Sequence, residues 1–137
     1  MLQDVIQDVC KYVADVIQKY LPQEFESLRI YCDVLPLYEK PSTYPFAGFV
    51  LNLQVSTLGH IDGGDDTICV VIPFGTFIGG ELGLHEAGLL FGLQPGDIII
   101  FPSYQFSHFN MHFKGVQGSL VMHSDKDGKR WAKTRNG

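Results

Sequence analysis

Apolar residues in the first twenty-one positions recur every three or four residues: Leu2, Val5, Ile6, Val9, Cys10, Val13, Val16, Ile17, Tyr20 and Leu21. Gln3, Asp4, Gln7, Asp8, Lys11, Asp15 and Lys19 fill the gaps between them. This spacing gives a helix over 2–21 with one apolar stripe and one wet face, and it is the only strong helical signal in the chain. Pro22 is expected to stop the helix, because proline disfavours helical geometry in the residue before it. The helix reads as a lid over a sheet.

From residue 27 onward the period changes to two. Strands are predicted near 27–35, 47–58, 67–74, 81–85, 89–93, 97–101, 106–113 and 117–123. Turn signals separate them: Pro36 to Pro45, Gly63-Gly64-Asp65-Asp66, Gly75 to Gly80, Pro95-Gly96-Asp97 and Gly115. Eight short strands at near-regular spacing predict a sandwich or jelly roll. With no internal repeat and no linker, residues 1–137 read as one domain: helix, β core over about 27–123, and a tail over 124–137.

Three of the strands carry one polar face each. Asn52, Gln54 and Ser56 alternate with Phe49, Leu51, Leu53 and Val55, and the even parity leads on to His60 and Asp62. His108, Asn110 and His112 alternate with Phe109, Met111 and Phe113, while Gln117, Ser119 and His123 share a strand with Leu120 and Met122. With the helix over the apolar faces, the polar ones either meet solvent or enclose a polar pocket.

Composition narrows the classes. Of 137 residues, 45% are apolar and 18% charged, which excludes a disordered chain, and Gly 15 with Pro 7 suits many short strands. No uncharged apolar window is long enough for a membrane span, and no basic leader points to secretion. The net charge of −5 is uneven: residues 1–113 hold 4 basic and 13 acidic side chains, residues 114–137 hold 6 and 2. The acidic body argues against a self-sufficient nucleic-acid binder. Lys126, Lys129, Arg130, Lys133 and Arg135 make the tail basic, either as a soluble terminus or as a phosphate contact. Cys10, Cys32 and Cys69 form no CxxC pair and lie in apolar runs, as reduced thiols of an intracellular (cytoplasmic or nuclear) protein would.

The candidate chemistry sits at His60-Ile61-Asp62 and His108. Residues i and i+2 at a strand end point to one side, and two imidazoles with one carboxylate suit one face of an octahedral Fe(II). The order His60-x-Asp62, Gly79-Gly80-Glu81-Leu82, Pro95-Gly96-Asp97 before Ile98-Ile99-Ile100-Phe101, then His108-Phe109-Asn110, resembles the Fe(II)/2-oxoglutarate-dependent oxygenase superfamily. It looks most like fungal members of the TET/JBP-related branch, over about residues 44–125. The resemblance implies a double-stranded β-helix (a cupin-like jelly roll), mainly β with one N-terminal helix. It implies His60, Asp62 and His108 as metal ligands and catalytic residues, and Fe(II) and 2-oxoglutarate as cofactors.

One position departs from the family pattern. The family has an arginine on the last core strand, followed two residues later by serine, holding the distal carboxylate of 2-oxoglutarate. Here Gln117 precedes Ser119, and both, with Asn52, are the candidate cosubstrate-binding residues. A neutral amide replaces a charge-assisted bidentate pair, at about 2–5 kcal/mol of cosubstrate binding. Three explanations compete: another cation reaches the site, with Arg29 on the first strand and Lys114 as candidates; the cosubstrate differs or is absent; or the fold is kept without turnover.

The expected function is a dioxygenase hydroxylating a small substrate or base, the alternative a catalytically inactive metal-binding or scaffold protein. A small molecule is the expected partner, with nucleic acid, a partner chain or a homo-oligomer kept open and no membrane. His85 and Glu81 read as surface and structural residues, His112 and His123 as near the pocket by parity. Tyr44 and the 36–45 loop are assigned to the pocket rim, and Trp131 to anchoring the tail.

Overall fold

The computed structural model describes residues 2–34, 41–54 and 67–124. His60, Asp62, the end of the second expected strand, the Gly63–Asp66 turn, residues 36–40 and the tail with Trp131 lie outside the described residues.

The helical part differs from the expectation. Helix α1 spans Leu2–Tyr20 as the periodicity predicts, but a second helix, α2, spans Pro22–Val34 where a strand was expected. Pro22 therefore starts a helix, at the first position, where its missing N–H has no helical partner anyway. Leu21 is the joint; its N–H bonds Ile17 O at 2.8 Å, and its carbonyl accepts from Phe25 N at 2.9 Å. The alternation of Leu28, Ile30, Cys32 and Val34 mimics a strand, yet the buried residues are Leu28, Tyr31 and Cys32, at i, i+3 and i+4. Arg29 bonds Glu26 and Asp33, three and four residues away, a geometry open only to a helix.

Among the described residues seven strands follow: β1 Gly48–Leu53, β2 Cys69–Gly79, β3 Leu82–Leu84, β4 Leu89–Phe91, β5 Ile99–Phe101, β6 His108–Asn110 and β7 Phe113–His123. They make two antiparallel sheets, ordered β1-β7-β2-β5 and β4-β3-β6. The expected turns at Gly75 and Gly115 are instead interior to the long β2–β7 pair. Both glycines take positive φ (114° and 107°), and a Cβ on either would meet the opposite backbone, Val116 O at 2.2 Å and Thr76 O at 2.3 Å. The ribbon bends there without breaking.

The β2–β7 ribbon turns a corner into the second sheet at residues 80 and 112. Gly80 N bonds His112 O at 3.1 Å and Met111 N bonds Glu81 O at 2.8 Å, so the pairing continues through the bend as β3–β6. The expected strand over 106–113 is thereby split at the corner, into β6 and the start of β7.

The first sheet is covered on both faces, which explains the unbroken apolar run Ile68–Ile72. Val70, Ile72, Leu120 and Met122 face Cys10, Val13, Ile17 and Leu28 of the helices. Cys69 faces the other way, onto Leu82, Leu84 and Phe101, with Val71, Leu93 and Phe106 packed around them. The helices do not reach the sheet edge. Phe49, Leu51 and Leu53 of β1 continue the helix-side face but stay 42%, 45% and 66% exposed, contrary to the expectation that the lid covers them. Cys10, Cys32 and Cys69 are buried thiols. No helix among the described residues is long and apolar enough to cross a membrane.

Candidate functional site

The inter-sheet face of the first sheet carries a row of small and polar groups. Asn52 of β1 pairs in register with Ser119 of β7, which pairs with Pro73 of β2, so the three side chains lie across adjacent strands on one face. Pro73 is tolerated because the β2–β5 ladder ends at Val71, leaving no partner on that side for an N–H. Asn52 Nδ2 donates to Ser119 Oγ at 3.4 Å.

Two residues along β7 from Ser119, Gln117 points the same way and is 8% exposed. Its backbone is clamped on both sides by Gln54: Gln117 N donates to Gln54 Oε1 at 2.7 Å, and Gln54 N donates to Gln117 O at 2.8 Å. Gln54 takes φ 56° to do this, and its side chain, which the strand parity pointed at the pocket, serves the backbone instead. The Gln117 amide lies against Gly80. A Cβ at residue 80, where φ is 70°, would come within 2.6 Å of Nε2 and 3.0 Å of Oε1. Glycine at 80 thus supplies both the left-handed backbone of the corner and the space the amide fills.

These groups enclose a cavity of about 20 Å³, with Asn52, Asn110, Gln117 and Ser119 as polar lining and Val71, Pro73, Leu82 and Leu93 as walls. The structure thus brings Asn52, Gln117 and Ser119 into one pocket. Asn110 joins them from the second sheet, opposite Leu82. Asn110 is not among the expected site residues, although its parity with His108 is visible in the sequence.

His108 lies on the pocket side of β6, two residues from Asn110 and so about 7 Å along the strand. It is buried, and its ring meets Phe101 edge-on with centroids 5.2 Å apart. Nδ1 is 3.1 Å from Phe106 O, and a carbonyl only accepts, so Nδ1 carries a proton, which in the neutral ring leaves the lone pair on Nε2. A metal-ligating histidine is commonly oriented in this way, by donating its other ring N–H to a backbone carbonyl. On this observation His108 fits a metal. Among the described residues no three metal-ligating side chains gather, and its expected companions His60 and Asp62 lie outside them.

The segment leading into β6 is fixed by Glu86, which accepts from Ser107 N and Ser107 Oγ, both at 2.7 Å. The Ser107 hydroxyl bond, first among several, holds the Glu86 carboxyl below the ordinary glutamate range. His85, beside it, is exposed as expected, and its N–H bonds Ser107 O at 2.9 Å. His112 is exposed and serves the corner through its carbonyl; His123 is half-buried at the far end of β7, opposite Gly48. Neither lines the pocket. Tyr44 is likewise no part of the lining; it packs beside Arg29 and Asp33, and burial, first among the causes, pushes its hydroxyl above the ordinary tyrosine value.

Neither candidate replacement cation lines the pocket. Arg29 sits on a helix, not a strand, and is engaged with Glu26 and Asp33. Lys114 is exposed, in register with Ile78 on the other side of the glycine bend. The described pocket lining therefore fits a hydrogen-bonding group, and no cation for a second carboxylate stands among the described residues.

The chain is similar to known proteins in sequence and in fold. Over 101 residues, 72% of the chain, it is 28% identical to thymine dioxygenase JBP1 of Leishmania tarentolae, and over 69 residues it is 36% identical to thymine dioxygenase JBP1-A of Trypanosoma cruzi. The solved structure of NgTET1 in complex with 5mC DNA superimposes with a TM-score of 0.78, covering 90% of the chain and 49% of NgTET1 at 19% identity. In sequence the chain is similar to JBP1, and in fold to NgTET1. The match spans only 12% of the Leishmania protein and 8% of the Trypanosoma one. No family model matches the chain.

Proposed function

We propose that the chain is the oxygenase domain of an Fe(II)-dependent, 2-oxoglutarate-type dioxygenase acting on a pyrimidine base, built on a double-stranded β-helix core in an intracellular setting. The observation that carries the reading is His108: buried, fixed in one tautomer by Phe106 O, and on the strand face that leads to the Asn52–Asn110–Gln117–Ser119 pocket. Likeness to a thymine dioxygenase and to a protein solved with 5mC DNA supports the base as substrate.

His108 would hold the metal with His60 and Asp62. Bound there, Fe(II) would supply the redox chemistry that lets dioxygen oxidise a C–H bond. The chain's own residues do the positioning. Phe106 O keeps the His108 lone pair on Nε2, Phe101 fixes the ring plane, and Glu86 ties down Ser107 so that β6 enters at a set angle. The apolar layer of Leu82, Leu84 and Phe101 beneath His108 keeps water off that side of the site.

A second reading is a metal-binding protein of this fold without turnover, favoured by the cation-free pocket. Anaerobic Fe(II) titration and assay with free thymine, 5-methylcytosine and oligonucleotides containing them separate the two. Binding that is lost in His60→Ala and His108→Ala, with oxidised base formed by the wild type, supports the proposal. Binding without any product supports the second reading, and no Fe(II) affinity in the wild type refutes both.

A further inference from the structure

Among the described residues the polar lining of the pocket is made of three carboxamides and one hydroxyl, with no Lys, Arg or His. Such a set suits one kind of guest. An ionised carboxylate that leaves water for a half-buried site needs a charged partner, and neutral donors recover only part of its hydration. A carboxamide presents both donor and acceptor groups, and finds partners for both on Asn52, Asn110 and Gln117. The recess is small and partly open, and takes the end of a ligand.

Gln117 is placed for this role and not left there by default. Its backbone is clamped by both backbone and side chain of Gln54, and its amide occupies space that only a glycine at 80 leaves open. Arg29 is held in ion pairs on α2 and Lys114 is exposed beyond the glycine bend, so no described cation supplies the missing charge.

We propose that this pocket selects a 2-oxo acid whose far end is an uncharged, hydrogen-bonding group of carboxamide type, and discriminates against 2-oxo dicarboxylates such as 2-oxoglutarate. The proposal rests on the reading of this pocket as the cosubstrate site, and it changes the class of cosubstrate.

Two inert probes of equal length test it: oxalylglycine, which ends in a carboxylate, and its primary amide. Calorimetry on the anaerobic Fe(II)-loaded protein measures both, so no turnover is required. The wild type is expected to bind the amide about tenfold tighter than the acid, and Gln117→Arg to reverse that order. Gln117→Glu, nearly isosteric and safe for folding, is expected to weaken the acid by a further tenfold or more through like charge, with the unfolding midpoint as control. A wild type that prefers the acid overturns the proposal while leaving the pocket as the cosubstrate site. If neither probe binds the wild type or Gln117→Arg, the cosubstrate reading itself fails and the proposal with it.

Discussion

Substituting Gly80 by alanine separates two effects that the corner combines. At φ 70° an alanine pays the left-handed penalty of about 1–2 kcal/mol. In addition, its Cβ would come within 2.6 Å of Gln117 Nε2, so the buried amide must swing away and lose its place in the lining, about 1 kcal/mol more. Gly88 is the internal control: φ is 64°, and a Cβ there has nothing within 4 Å. Urea unfolding followed by circular dichroism should therefore show Gly80→Ala less stable than wild type by about 2–3 kcal/mol, and Gly88→Ala by about 1–2. The excess at Gly80 should vanish when the comparison is repeated in a Gln117→Ala background, because the pair then has nothing left to collide. Equal costs at the two glycines, or an excess that survives in the Gln117→Ala background, would refute the contact.

Leu28→Ala, which empties a fully buried position between α2 and the first sheet, should cost about 2–5 kcal/mol in the same unfolding assay. Glu86→Gln should speed amide hydrogen exchange at Ser107 and His108, because the short bonds that anchor β6 lose their charge. The pH dependence has a definite sign: the Glu86 carboxyl is held below its unfolded value, so its stabilisation is complete above the ordinary glutamate range and fades as the pH falls through its lowered value. As the pH falls through and below the ordinary glutamate range, wild-type protein should lose its advantage over Glu86→Gln, and a constant gap between their melting temperatures would count against the anchor. Arg29→Ala should leave Fe(II) and probe affinities in calorimetry unchanged, since its partners are Glu26 and Asp33 on the same helix; a loss of probe binding would put Arg29 back into the site.

Much of the site layout is written in strand parity. His108 and Asn110, and Gln117 and Ser119, fall on one side because they are two apart, and Asn52 joins them once β1 and β7 pair in register. What parity does not carry is the register itself, or the bend that brings Gly80 over Gln117, since both depend on contacts between residues far apart in sequence. Helix α2 was hidden for a different reason. Leu28, Ile30, Cys32 and Val34 alternate like a strand, and only the spacing of Glu26, Arg29 and Asp33 betrays the helix. Gly75 and Gly115 read as turns because glycine marks both turns and bends inside strands, and sequence alone does not tell which. The expectation that the helices cover β1 failed because periodicity shows that a face is apolar, without showing how far its cover extends.

The clamp around residue 117 has a genetic side. Both glutamine codons, CAA and CAG, become arginine codons by one change at the middle base, CGA and CGG. The backbone at 117 is held by Gln54 through its N–H and carbonyl, bonds that do not depend on the side chain there, so that support does not have to change with it. A lineage carrying this scaffold stands a single nucleotide from exchanging an amide-lined pocket for a cationic one. Fold and ligand charge are thus inherited separately here: the first is spread over two sheets and two helices, the second rests on one codon.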